Sequence, residues 1–146
     1  MKKRNRQLLI LLLLLLAAVG IYWFTQREQK IKAIPSNFIV QDSALHISGD
    51  NLIIKVWDYN AVDGDTVNVL FDGKIIFETL GLEGTPVVYN AKKLVKGEHW
   101  IGVEGINEGS TPPATTHVSV DNGHQVFEFD IEAYINKPAV RKIFIN

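Results

Sequence analysis

Residues 57–74 read W-D-Y-N-A-V-D-G-D-T-V-N-V-L-F-D-G-K, and they limit sharply what this chain can become. Val67, Val69 and Phe71 alternate with other residues at the period of a strand that buries one face. Asp72-Gly73 follows at once, a pair suited to the positive φ angles of a type I′ hairpin turn. Residues 74–79 return as the second arm. Upstream, Leu52, Ile54 and Val56 share one face of a strand, while Lys55 and Trp57 share the other. Between the two strands, Asp58, Asp63 and Asp65 place three carboxylates in one turn. The stretch is read as the central hairpin of the fold.

The remainder repeats this grammar. Short strands are expected at 38–40, 44–47, 86–89, 99–105, 116–120, 125–131 and 140–145. Turn signals at 48–51 and at Asn122-Gly123 punctuate them, the latter closing a further hairpin. Residues 91–95 form one helical turn or a connection. Residues 107–114, N-E-G-S-T-P-P-A, must be a loop, because Gly and paired prolines do not sit in a ladder. Eight to ten short strands without an amphipathic helix predict an all-β fold: a single antiparallel β-sandwich, immunoglobulin-like or Greek key, over 37–146.

Residues 1–24 have a different character. Lys2, Lys3, Arg4 and Arg6 precede an unbroken apolar run at 8–24. As a helix that run spans roughly 25 Å, at the short end of what crosses a bilayer. Tyr22 and Trp23 would then lie at the far interface, with the basic tip held in the cytoplasm. The rival reading is a cleaved signal peptide, with small residues at Ala18 and Gly20 and cleavage near Gly20. The apolar run continues past that point through Phe24, which favours the uncleaved transmembrane anchor. Either way the following domain is exported. Residues 25–36, polar and closing on Pro35-Ser36, read as a juxtamembrane spacer.

Charge and cysteine content remove several function classes. From Thr25 onward there are 11 basic and 16 acidic residues, and the only basic cluster is the N-terminal tip. That balance argues against a phosphate-backbone partner, so no nucleic acid is expected. The chain has no cysteine, which excludes disulfides, thiolate metal sites and a Cys nucleophile.

Two stretches, 54–74 and 94–120, together resemble an uncharacterised β-sandwich domain of secreted and envelope proteins of Bacteroidetes. The pattern is a strand ending in Asp, a V-D-G-D turn, a strand and a D-G hairpin. A G-x-N/H strand and an N-x-G-x-x-P-P loop follow. His99 and Ala114 stand here where similar domains often carry Asn. The resemblance implies a fold and an envelope location, and no activity.

Calcium takes six to eight oxygen ligands, and tight acidic turns supply several of them. Asp58, Asn60, Asp63 and Asp65 are the candidate Ca²⁺ ligands. Their spacing, D-x-N-x-x-D-G-D, has one residue too many for an EF-hand loop and lacks its downstream bidentate Glu. Turn chemistry is the simpler account, since Asp and Asn bond their own backbone and Gly64 supplies positive φ. Against it stands the repulsion of three close carboxylates, weaker if they splay into water. Glu104, Asn107 and Glu108 form a second polar group near a loop, and Glu104 approaches the aspartates if strand 99–105 neighbours strand 52–57. His46, His99, His117 and His124 lack ligand spacing and read as strand or turn residues. No G-x-S-x-G or triad context marks a nucleophile. Trp57 and Tyr59, with Trp100 and Tyr89 as further members, form a candidate aromatic platform for a sugar.

These features point to a non-enzymatic, membrane-anchored extracytoplasmic module that recognises an envelope protein or glycan. The alternative is a purely structural component of an envelope complex, and the third reading is an envelope hydrolase.

Overall fold

The computed structural model describes residues 10, 12–18, 31–58 and 62–146. They fall into two units, Met1–Lys30 and Ile31–Asn146. In the first, residues 10 and 12–18 are helical and Leu12, Leu13, Leu14, Leu15 and Leu16 are exposed. No helix of the described residues is long and apolar enough to cross a membrane. The rest of the 8–24 run, including Tyr22, Trp23 and Gly20, lies outside the described residues.

The second unit is built from strands whose side chains alternate in and out, as the sequence pattern requires. In chain order they are β1 (Ile39–Val40), β2 (Leu45–Ile47), β3 (Leu52–Trp57), β4 (Asp65–Phe71), β5 (Lys74–Gly81), β6 (Val87–Ala91), β7 (Gly97–Glu108), β8 (Ala114–Asp121), β9 (Val126–Ala133) and β10 (Ala139–Ile145). One sheet has the order β1-β10-β7-β4-β5, with β2 also paired to β10, and the other has the order β6-β3-β8-β9. Leu52, Ile54, Val56, Val118, Val120 and Ile131 from the four-stranded sheet meet Val67, Val69, Phe71, Ile101, Val103 and Ile143 from the six-stranded sheet in one core. This unit is therefore an all-β sandwich.

Asp72 and Gly73 both have positive φ, 52° and 78°, as a type I′ turn demands. The second hairpin forms between β8 and β9, but its turn is wider. Asn122 donates its N–H to the Gln125 carbonyl at 3.2 Å, and its side-chain oxygen accepts from the N–H groups of His124 and Gln125. Residues 92–96 are a connection rather than a helical turn.

Two expectations need correction. First, β3 and β4 do not pair. They lie in opposite sheets, so the turn at 58–64 connects the two layers, while the expected hairpin at Asp72-Gly73 forms between β4 and β5. Alternation fixes which side of a strand is buried, and both strands satisfy it by facing the same core from opposite sides. Second, the sandwich is not wholly antiparallel, because β1 and β2 each run parallel to β10.

Residues 31–38 cover part of the outer face of the six-stranded sheet. Phe38, Leu70, Trp100 and Val140 make a second apolar cluster there, with Ile31 and Ile34 against it. The Trp100 indole N–H donates to the Lys32 carbonyl at 2.7 Å, and the Lys32 N–H donates to the Asp72 carbonyl at 3.2 Å. Part of the segment read as a spacer is thus packed onto the domain. On one flank, Gln41 ties the two sheets together. Its amide nitrogen donates to the Glu132 carbonyl at 2.8 Å, and its oxygen accepts from the Glu132 N–H at 3.1 Å. Arg141 reaches Asp42 beside it and lies over the Phe129 ring, 5.4 Å from the centroid.

Candidate functional site

The crossover brings the three aspartates together at one end of the sandwich. Asp58 follows β3, and its N–H donates to the Glu83 carbonyl at 2.9 Å. Asp65 opens β4, where its carbonyl accepts the Leu82 N–H at 2.8 Å. Both are buried, and Asp63 between them is half-buried. One carboxylate oxygen from each lies within 4.8 Å of the others. Asn60 and Tyr59 lie outside the described residues.

Loop 107–114, with its N-x-G-x-x-P-P pattern, wraps over this cluster. Asp63 Oδ2 accepts from the Thr111 N–H at 2.9 Å and the Ser110 hydroxyl at 3.3 Å. Asp65 Oδ2 accepts from the Thr115 N–H at 2.9 Å. Gly109 has φ +57°, and a Cβ placed on it would meet Asp63 Cγ at 2.7 Å and the Asp63 carbonyl oxygen at 2.9 Å. Residues 63–65 and 109–115 are therefore one structure in space. Ser110, Thr111, Thr115 and Gly109 were not singled out as site residues, although the loop's composition was the available signal.

The electrostatics of the cluster are unfavourable. Burial raises the Asp65 carboxyl above its usual range, and the charges of Asp63 and Asp58 add to this, while the Thr115 N–H opposes it. Asp65 Oδ1 and Asp63 Oδ1 are both buried with no hydrogen-bond partner. Among the described residues, neither Asp63 nor Asp65 forms an ion pair with a Lys, Arg or His. β7 pairs with β4 and β10 and not with β3, and although register sets Glu108 opposite Asp65, Glu104, Asn107 and Glu108 are not among the clustered carboxylates. Glu104 accepts from Asn68 at 3.3 Å, Asn107 from the Gly109 N–H at 3.1 Å, and Glu108 from the Ile135 N–H at 2.5 Å.

The aromatic candidates disperse. Trp100 is buried beneath residues 31–38, and Tyr89 packs inward against the core, its ring 6.2 Å from that of Phe71. Trp57 alone of the described candidates faces outward, from the four-stranded sheet. Register places His117 beside it and Asp130 beside His117. The Trp57 and His117 rings meet edge-on at 4.5 Å, and His117 Nδ1 lies 2.6 Å from Asp130 Oδ1. Counting outward from Asn122-Gly123 as a two-residue turn pairs 117 with 128, so the wider turn, which sets 117 opposite 130, hides this contact from the sequence.

His99 is buried and fully engaged, with Nδ1 at 2.7 Å from Asp72 Oδ2 and Nε2 at 2.7 Å from the Val95 carbonyl. A cavity of about 270 Å³ opens at one end of the four-stranded sheet, lined by Asn51, Asn90, Lys92 and Asp121 among others. Its other polar wall is occupied by turn chemistry, with Asn122 donating to the Ser48 carbonyl at 2.9 Å.

Comparison of the chain with protein-family models, with curated proteins and with solved structures finds no match.

Proposed function

We propose that this chain is a non-enzymatic, membrane-anchored module facing outward from the membrane, and that it recognises an envelope protein or glycan. The recognition surface is the outer face of the four-stranded sheet. The observation that carries this reading is the cross-strand row Trp57–His117–Asp130, with exposed Ile53 and Val88 farther along the same face. Aromatic and aliphatic side chains on an open, flat sheet are the usual anchors of a binding surface. The six-stranded sheet differs, since part of its outer face is covered by residues 31–38.

The anchor and orientation rest on the basic tip, the 8–24 run and the exposed leucines of the described helix. Strand order supports an immunoglobulin-like Greek key, in which β5-β4-β7-β10 and β6-β3 occupy the usual positions and the β8–β9 hairpin is added beside β3. The resemblance to the Bacteroidetes envelope domain agrees with this arrangement.

The reading is tested by placing a photo-crosslinking residue at Val88 or Ile53 in the intact membrane, with Ile75 on the other sheet as control. Discrete adducts from Val88 and Ile53, absent from Ile75, are expected. Equal yields from all three positions, or none from any, sink the proposal.

A further inference from the structure

The Asp58, Asp63 and Asp65 cluster is the one group of described acidic side chains whose geometry suits a metal ion. Clustering alone is weak evidence, because carboxylates gather on many turns. The independent observation is the state of their oxygens. Asp65 is only 3% exposed, and its Oδ1 finds no hydrogen-bond donor. Asp63 Oδ1 is a second buried oxygen without a donor. A buried carboxylate oxygen left unpaired is costly, and native structures rarely tolerate two side by side. The other oxygen of each is held by the 107–115 segment, so neither group is free to swing into water.

We propose that Asp58, Asp63 and Asp65 hold a Ca²⁺ ion, which fastens the crossover between the sheets to loop 107–114. Ligands at about 2.4 Å from one ion lie at most about 4.8 Å apart. The three carboxylate oxygens satisfy that bound, all lying within 4.8 Å of one another. The donors are oxygen only, with no His in the group and no Cys in the chain, which selects a hard cation over zinc, copper or nickel. Asp58 and Asp63 lie outside regular secondary structure, which suits the flexible coordination of Ca²⁺ better than the rigid octahedron of Mg²⁺. Backbone carbonyls and water complete the shell. The assignment does not depend on what the four-stranded sheet binds.

The competing arrangement is a proton shared between Asp63 and Asp65. It removes the repulsion without a metal, and the two make opposite predictions. The full chain in neutral detergent micelles, stripped with EDTA, is titrated with CaCl₂ by calorimetry and melted with and without the ion. One saturable site is expected, with the melting temperature raised by roughly 5 °C or more at saturation. Asp65→Asn and, separately, Asp63→Asn abolish the heat while circular dichroism still reports the strands. MgCl₂ at the same concentration gives a much smaller shift. No saturable heat and an unchanged melting temperature at about 10 mM Ca²⁺ overturn the proposal, and this measurement on the unsubstituted chain decides even if the variants fail to fold. Undiminished binding in both folded variants, or equal binding of Mg²⁺, also overturns it.

Discussion

Asp65 concentrates the chemistry of the crossover in one side chain. Burial raises its carboxyl, and the neighbouring Asp63 and Asp58 charges push the same way. Without a cation, the folded chain then keeps a proton that the unfolded chain has already released. Stability therefore falls as pH rises from the ordinary carboxylate range through the raised value, and the penalty is complete above it. Asp65→Asn keeps the shape and removes the titration. In EDTA, its melting temperature should lose this decline and exceed the unsubstituted chain's at neutral pH; parallel pH profiles would refute the account. Gly109 makes a second residue-level case. Its φ of +57° and the closeness of Asp63 leave no room for a side chain. Gly109→Ala should cost about 1–3 kcal/mol in denaturant unfolding, with the loss traced to the loop over Asp63.

At the scale of elements, residues 31–38 and β7 are held together by Trp100. Its indole donates to Lys32, and its ring meets Phe38 edge-on with centroids 5.8 Å apart. Gly102 makes room for this, since an added Cβ would strike Phe38 and Trp100 at 2.8 and 2.9 Å. Trp100→Phe removes the hydrogen bond and some packing, an expected loss of roughly 1–2 kcal/mol. Faster tryptic cleavage after Lys32 should accompany it, and an unchanged cleavage rate would mean that the segment is held by other contacts. Little of this was legible in advance. The I-K-A-I-P-S of 31–36 has no strand period, so nothing announced that Ile31 and Ile34 would cover a sheet. What was legible was local: the Asp72-Gly73 turn, and the inward faces of β3 and β4. What alternation cannot show is which sheet a strand joins, because either layer buries the same face. That gap kept the sequence from showing that the turn at 58–64 joins the two sheets. The acidic residues were found by composition, while their partners Thr111 and Thr115 come from nearly fifty residues away and needed the fold.

The whole domain is asymmetric. Phe38 and its neighbours cover part of one outer face, whereas the other carries Trp57 and exposed Ile53 on β3, exposed Val88 on the edge strand β6, and the acidic strand β9 at the opposite edge. Glu128, Asp130 and Glu132 alternate along that strand with the inward Phe127, Phe129 and Ile131, so three carboxylates line the outer edge. His117 engages Asp130, and Glu128 and Glu132 remain exposed on either side. A partner that lies across Trp57 and reaches this edge meets an apolar centre and a negative rim, the usual division of roles in an interface. Once a partner is in hand from crosslinking at Val88, Trp57→Ala should weaken binding by about 30-fold, roughly 2 kcal/mol. Glu128→Lys with Glu132→Lys should slow association and remove most of its salt dependence. Rates measured at low and high salt separate the partner classes. A basic protein surface loses association rate as salt rises, and a neutral glycan stacked on Trp57 does not. Because Glu128 and Glu132 lie on the same face as Trp57, the expected result is a rate that falls with salt. A salt-independent rate that still requires Trp57 would assign the face to a neutral sugar instead.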